Sequence, residues 1–284
     1  MLDSWAGFHH NVPAMTRRTD VAGALLDRRE LTPTSFRLRF ALAQEMARPL
    51  PGQFVMIRPE HGENPFWRRA FSVSGFDTRD GRNVLELMIK VVGPGTALWR
   101  RLPPGTPVEV LGPLGNGFSI DRAEGSIALV SGGIGLPPLA YAVPDLQRRG
   151  CRCDLFLGAA SAAELLDREG CRRLVAPTGG RVIPATDDGS AGEAGLVTEV
   201  LERRLAAGER YDTVLACGPM PMLRALAAVT ERWSIRAEFA LEERMACGVG
   251  VCLGCIVPTA DGGHLRVCRE GPVVEPARID WESL

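Results

Sequence analysis

Four of the eight cysteines sit close together near the C-terminus, as Cys247-x4-Cys252-x2-Cys255-x12-Cys268. Thiolates are soft ligands, and three on a short loop with a distant fourth is the ligand spacing of a 2Fe–2S cluster. Gly248, Gly250 and Gly254 lie between or beside them. Glycine lets such a loop turn sharply and bring backbone N–H groups near the sulfurs, where donors help to set the potential. Structural zinc more often takes two close ligand pairs, and only one C-x2-C occurs here. Zinc and unliganded thiols remain the alternative readings of these residues. Cys151, Cys153 and Cys171 read as small buried side chains, and without a secretory signal no disulfide framework is expected.

Two further groups could hold an anionic, aromatic ligand. In Arg68-Arg69-Ala70-Phe71-Ser72-Val73, a guanidinium can bind a pyrophosphate, an aromatic ring can pack on an isoalloxazine, and a hydroxyl can reach flavin N5 or O4. In Lys90-Val91-Val92-Gly93-Pro94-Gly95-Thr96, the glycines permit close approach of backbone to phosphate, and Thr96 is expected to cap the next helix. Lys90 is the only lysine of the chain. Alone, each stretch reads equally as a strand with a surface Arg and a core Phe, or as an ordinary turn.

A third group has dinucleotide character. Leu129-Val130-Ser131-Gly132-Gly133-Ile134-Gly135-Leu136-Pro137-Pro138 is expected to join a strand to a helix, the context in which a helix N-terminus meets a diphosphate. The common G-x-G-x-x-G fingerprint is absent. Cys217-Gly218-Pro219 ends a later predicted strand, at the carboxyl edge of a sheet; the other reading of Cys217 is a small buried thiol. Gly158-Ala159-Ala160-Ser161 offers no Arg for a 2′-phosphate, which favours NAD over NADP.

The elements needed to position these groups fall into three blocks. From Asp20 to Leu111 the pattern is β-rich: Phe36, Leu38 and Phe40 alternate with polar residues, 53–58 and 84–92 are apolar runs, and turns fall at 62–65 and 103–105. A small closed antiparallel barrel is expected. After Gly125, strands at 126–131, 154–157, 181–185 and 211–217 alternate with helices at 136–149, 162–168, 193–206 and 220–232, which predicts a parallel sheet covered on both faces. The expected domains are a mobile tail (1–18), a flavin-binding barrel (19–122), an α/β nucleotide domain (123–233) and a small cluster domain (234–284).

In combination these motifs resemble the ferredoxin–NADP reductase superfamily. There the Arg-x-aromatic-Ser strand holds FAD, the Gly-x-Gly-Thr turn its diphosphate, and the Gly-Gly-x-Gly-x-x-Pro turn and Cys-Gly-Pro loop the nicotinamide nucleotide. The resemblance makes Arg69, Phe71, Ser72, Val73, Lys90, Val91, Gly93, Gly95, Thr96, Gly132, Gly133, Gly135, Cys217, Gly218 and Pro219 cofactor-binding, with Cys247, Cys252, Cys255 and Cys268 on the metal. Gly115-Asn116-Gly117-Phe118 resembles a family loop at the end of the barrel. Glu243 to Cys255 and Val267 to Val273 look like the cluster loop and closing segment of dihydroorotate dehydrogenase B electron-transfer subunits. The resemblance spans about Asp20 to Val274. Phe71 stands where many superfamily members have Tyr, and the N-terminal stretch is long.

What this family resemblance implies is a cytoplasmic oxidoreductase subunit of pyrimidine biosynthesis. It would pass electrons from an FMN-containing dihydroorotate dehydrogenase catalytic subunit, in a heterotetramer, through 2Fe–2S and FAD to NAD+. No acid–base catalytic residue is then expected in this chain. Two alternatives are a FAD/2Fe–2S NAD(P)H reductase component for another partner, such as an oxygenase or hydrogenase-like complex, and a redox-sensing metal module without flavin. A formal net charge of −1 gives no reason to expect nucleic acid or an anionic membrane as partner, and no run of 18 apolar residues suggests a membrane-spanning helix.

Overall fold

The computed structural model describes residues 19–60, 67–79 and 81–284; the expected tail of residues 1–18 and the turn at 62–65 lie outside them. Strands β1 (Thr19–Glu30), β2 (Ser35–Leu42), β3 (Phe54–Pro59), β4 (Arg69–Arg79), β5 (Arg82–Lys90) and β6 (Pro107–Leu114) close into an antiparallel barrel in the order β1-β2-β5-β4-β3-β6. The alternation in β2 explains the closure. Phe36, Leu38 and Phe40 are fully buried inside, while Arg37 and Arg39 face outward. Helix α1 (Pro94–Trp99), between β5 and β6, delivers Trp99 into this core, edge-on to Phe40 and Phe71 at ring separations of 6.0 and 6.4 Å.

The second block runs β7 (Ser126–Gly132), α2 (Leu136–Arg148), β8 (Arg152–Ala159), α3 (Arg168–Val175), β9 (Val182–Thr186), β10 (Glu193–Ala194), α4 (Val197–Ala206), β11 (Thr213–Cys217), α5 (Met220–Arg232) and β12 (Arg236–Ala240). The sheet order is β10-β9-β8-β7-β11-β12, all parallel. Strand β7 is apolar on both faces because α2 and α3 cover one and α4 and α5 the other. The chain moves outward from β7 through β8 to β10, then returns to β11 on the other side. Gly132 and Cys217 therefore end the two strands that flank the reversal, where α/β sheets open a ligand crevice.

Two expected helices start later than their sequence suggests. The stretch 162–168 forms only a single tight turn, Ala162–Glu164, because Leu165 and Leu166 are buried under the sheet by extended chain. Asp167 then takes a left-handed φ of 35° and its carboxylate accepts the Gly170 N–H at 3.3 Å, so α3 begins at Arg168. Glu193 and Ala194 pair with β9, and α4 begins at Val197, its first turn held by Glu199 accepting the Leu196 N–H at 3.2 Å.

The chain after residue 240 forms a hairpin, β13 (Ile256–Pro258) with β14 (His264–Arg266), and a short strand β15 (Val273–Val274). Strand β15 pairs antiparallel with β12, so the sheet takes its last two strands from beyond residue 233. The barrel grips the same segment through Asn116. Its amide donates to the carbonyls of Val273 (2.8 Å) and Glu270 (3.3 Å) and accepts from Val273 N–H (2.9 Å), while its own N–H donates to Gly271 (2.7 Å). Asn116 is thus a clasp between barrel and C-terminal segment. Replacing Asn116 with Ala removes three of these bonds and lowers unfolding free energy by about 2–3 kcal/mol, measured by urea denaturation. An unchanged midpoint and slope would show that the clasp contributes nothing.

Candidate functional site

Cys247, Cys252 and Cys255 lie on a loop that leaves β12 and crosses to the barrel, and Cys268 follows the β13–β14 hairpin. Cys255 and Cys268 are buried, Cys247 is half-buried and Cys252 exposed. Backbone N–H groups of Val249 and Cys252 donate to Cys247 Sγ at 3.4 and 3.5 Å, and Cys268 N–H donates to Cys255 Sγ at 3.5 Å. Among the described residues no three His, Cys, Asp or Glu side chains converge as ligands of a single ion. Backbone N–H donors aimed at sulfur are the surroundings an iron–sulfur cluster takes. Burial pushes the Cys247 thiol up, but the N–H groups of Val249, Cys252 and Val251 outweigh it and bring it to about 6.

The loop's placement is fixed by packing. Gly248 has φ +68°, and a Cβ there would overlap the Met56 side chain on β3, so only glycine lets the loop lie on the barrel. On the other side Arg266 donates to the Gly250 carbonyl at 3.0 Å and is itself held by Glu270. The outer face is apolar: Val251, Leu253 and Ile256 are 78%, 56% and 44% exposed.

Next to this loop is a cleft of about 240 Å³ that draws on all three blocks of the chain. The barrel contributes Phe54, Phe71, Ser72, Lys90 and Thr96, the β7–α2 turn Ile134 and Pro137, and the C-terminal segment Leu241, Glu242, Glu243, Met245 and Pro272. It is smaller than the roughly 300–1,000 Å³ that encloses a drug-sized ligand, so it suits a ring system whose remainder runs along the surface. Arg69 lies at its edge. It donates to the Trp67 carbonyl at 2.7 Å, and a Cβ on Gly95 would fall 3.1 Å from Arg69 Nε, so guanidinium and Gly93–Thr96 turn form one cradle. Thr96 is the third residue of α1 rather than its cap. Its hydroxyl accepts the Val92 and Gly93 N–H groups at 2.9 and 3.2 Å and tightens the turn from inside.

Not every expected residue reaches the cleft. Val73 is buried in the barrel core and its N–H donates to the Gln53 carbonyl at 3.1 Å, while Val91 packs against the same core. On the nucleotide side, Gly132 and Gly135 serve close packing between two loops. A Cβ at Gly135 would overlap the Cys217 carbonyl and one at Gly132 the Met222 sulfur, whereas Gly133 faces open space. Gly218 is pressed against Met222, and Pro219 precedes α5. Cys217 is fully buried, with Sγ 3.7 Å from Glu242 Oε1. Desolvation, then the carboxylate, pushes this thiol well above its usual range. Glu242 is exposed at the rim of the cleft, and partial desolvation by the surrounding protein raises its carboxyl.

The cleft residues that lie outside every motif are Phe54, Met88, Ile89, Leu241 and Glu242. Glu243 and Met245 lie within the stretch that resembles a cluster loop, and their distance from the cysteines, only a few residues, was the available signal. Pro272 lies in the stretch that resembles the closing segment; for Phe54 there was no signal, because its approach is purely tertiary.

The same three blocks appear in comparisons with known proteins. The family model of the iron-sulfur cluster binding domain of dihydroorotate dehydrogenase B matches residues 242–280, the oxidoreductase NAD-binding domain residues 129–228, and the oxidoreductase FAD-binding domain residues 23–118. The dihydroorotate dehydrogenase B (NAD(+)) electron transfer subunit of Bacillus caldolyticus is 41% identical over 243 residues, 84% of this chain and 89% of that one. Its counterpart from Desulforamulus reducens is 34% identical over 256 residues, 89% and 95% of the two chains. Among solved structures, a NADH-dependent reduced ferredoxin–NADP oxidoreductase superposes with a TM-score of 0.79 at 25% identity, covering 92% of this chain and 91% of that one. A barrel that binds FAD, a sheet that binds NAD and a C-terminal iron–sulfur domain, in that order and at that similarity, show that the chain belongs to the family of dihydroorotate dehydrogenase B electron-transfer subunits.

Proposed function

We propose that this chain passes electrons from dihydroorotate, oxidised on an FMN-containing partner subunit, through a 2Fe–2S cluster and FAD to NAD+, within a heterotetramer. The observation that carries the reading is the segment 241–247. Leu241, Glu242, Glu243 and Met245 wall the cleft, and Cys247, two residues on, is the first cluster thiol. The cofactors supply the chemistry, since a cluster exchanges single electrons, a nicotinamide takes a hydride, and a flavin does both. What the residues do is hold and shield. Phe71, backed by Trp99, and Ser72 offer the flavin ring an apolar face and a hydroxyl. Arg69 with the Gly93–Thr96 turn offers its diphosphate a charge-assisted cradle. Gly133 leaves the β7–α2 turn open to a second nucleotide, and Cys217 with Glu242 borders the place where a nicotinamide would meet the flavin.

The four thiols hold iron, with Cys247 and Cys252 at the more accessible end. Exposed Val251, Leu253 and Ile256 around that end form an apolar collar suited to a partner subunit. Replacing Cys247 with Ser is expected to remove iron and inorganic sulfide from the purified protein while the yellow flavin absorbance persists. Full iron content in that variant would take Cys247 out of the ligand set.

The function itself is tested by mixing the loaded chain with the catalytic subunit and following NADH absorbance after adding dihydroorotate. Dihydroorotate-dependent NADH formation is expected, and none from a fully loaded complex would refute the reading. Leu253→Asp should weaken assembly at least ten-fold, consistent with an interface residue costing more than about 1.4 kcal/mol; unchanged co-elution on gel filtration would move the interface elsewhere.

A further inference from the structure

Lys90 lines the cleft from the end of β5, and its ammonium is spoken for: Nζ lies 3.2 Å from Glu164 Oε2. The two residues come from different blocks of the chain. Lys90 begins the stretch that leads into the Gly93–Thr96 turn, whereas Glu164 ends the tight turn that follows β8 in the nucleotide domain. Both side chains remain about one-third exposed, 31% and 33%, so the pair is open to water and to competing ions. Its position at the cleft is not left to a loose loop. The Glu164 N–H donates to the Ser161 carbonyl at 3.0 Å, Ala162 N–H donates to Ser190 Oγ at 2.8 Å, and Ser190 N–H donates in turn to Asp188 at 2.9 Å. Beside this pair, the end of β5 packs on the Gly133–Gly135 turn, where Ile134 shares the cleft with Lys90 and Gly133 faces open space.

An ammonium at that point therefore has two anions to choose between. One is the Glu164 carboxylate; the other is the diphosphate of a dinucleotide laid along the β7–α2 turn. We propose that Glu164 is a positioning residue for the nicotinamide nucleotide: it competes with the nucleotide diphosphate for Lys90 and so weakens binding, letting the oxidised and reduced nucleotides leave after each turnover. This rests on the nucleotide placement given under the proposed function, though not on the identity of the protein partner. A carboxylate facing the path of a diphosphate also adds direct repulsion, which acts in the same direction without Lys90.

Calorimetric titration of the FAD-loaded chain with NAD+ separates the two contributions. Glu164→Gln keeps the shape and removes the charge, and NAD+ should bind about two- to five-fold tighter, the range expected for freeing one partner of an exposed ion pair. Lys90→Gln should weaken binding about ten-fold, as for loss of a hydrogen bond to a charged group. In the double variant the gain from Glu164→Gln should shrink to the part set by direct repulsion, because the part that acts through Lys90 is gone. The tightening should also shrink as salt rises toward 1 M, where exposed charges are screened within about 3 Å.

Unchanged or weaker binding by Glu164→Gln would overturn the proposal. A gain that persists in full alongside Lys90→Gln would overturn it as well, by assigning the effect to repulsion alone. Both results can be read in the isolated chain, so they stand apart from any failure to accept electrons from dihydroorotate.

Discussion

Electron transfer between two carriers demands that they be held close, and here that closeness depends on one peptide. Chain leaving β12 walls the cleft from Leu241 to Met245 and reaches Cys247, the first of the four thiols proposed to hold the cluster, two residues on. A segment so short cannot place its two ends independently. Fixing one end on the sheet and the other on the barrel fixes the separation. The sheet end is secured by parallel pairing of β12 with β11, and the barrel end by Gly248, whose lack of a side chain allows contact with Met56. The returning segment is locked by β15 pairing on β12 and by the Asn116 clasp. The C-terminal stretch is thereby built into the other two blocks.

The cleft has an electrostatic division that follows the same layout. Its barrel side carries Arg69 and Lys90, and its C-terminal side carries Glu242 and Glu243. On the proposed reading the cations serve the diphosphates, and Glu242 lies beside the buried thiol of Cys217. A Cys217 thiol pushed up by burial stays protonated and uncharged, so it acts as a small apolar neighbour and weak donor rather than as a nucleophile. Cys247, by contrast, is brought down by the backbone N–H groups that face its sulfur.

Much of this was legible in the residues alone, where the signal was local. Cysteine spacing, the alternation of Phe36, Leu38 and Phe40, and the apolar run ending in Gly132 are each set within a few positions, and barrel, parallel sheet and iron–sulfur segment follow the expected order. Where long-range packing decides, local pattern misleads. Leu165 and Leu166 look like helix residues but are drawn flat beneath the sheet, and Asp167 restarts the helix behind them. In 236–240, Ala237 and Phe239 alternate with Arg236 and Glu238 as a strand should, yet the neighbouring cysteines dominate that part of the sequence. Val73 follows Ser72 directly, but a strand sends successive side chains to opposite faces, so one of them meets the cleft and the other the core. Phe54 is brought to the cleft by the closure of the barrel, and nothing near it in the sequence announces it.

The central claim is that flavin and cluster are in electronic contact within this single chain. The most direct test is an anaerobic titration of the loaded, isolated protein with NADH, following flavin bleaching by absorbance and the reduced cluster by electron paramagnetic resonance. Contact predicts that NADH alone reduces both centres, with the cluster signal appearing during flavin reduction and without any added mediator. A flavin that bleaches fully while the cluster stays oxidised, yet is reduced at once when a small mediator is added, would contradict the account.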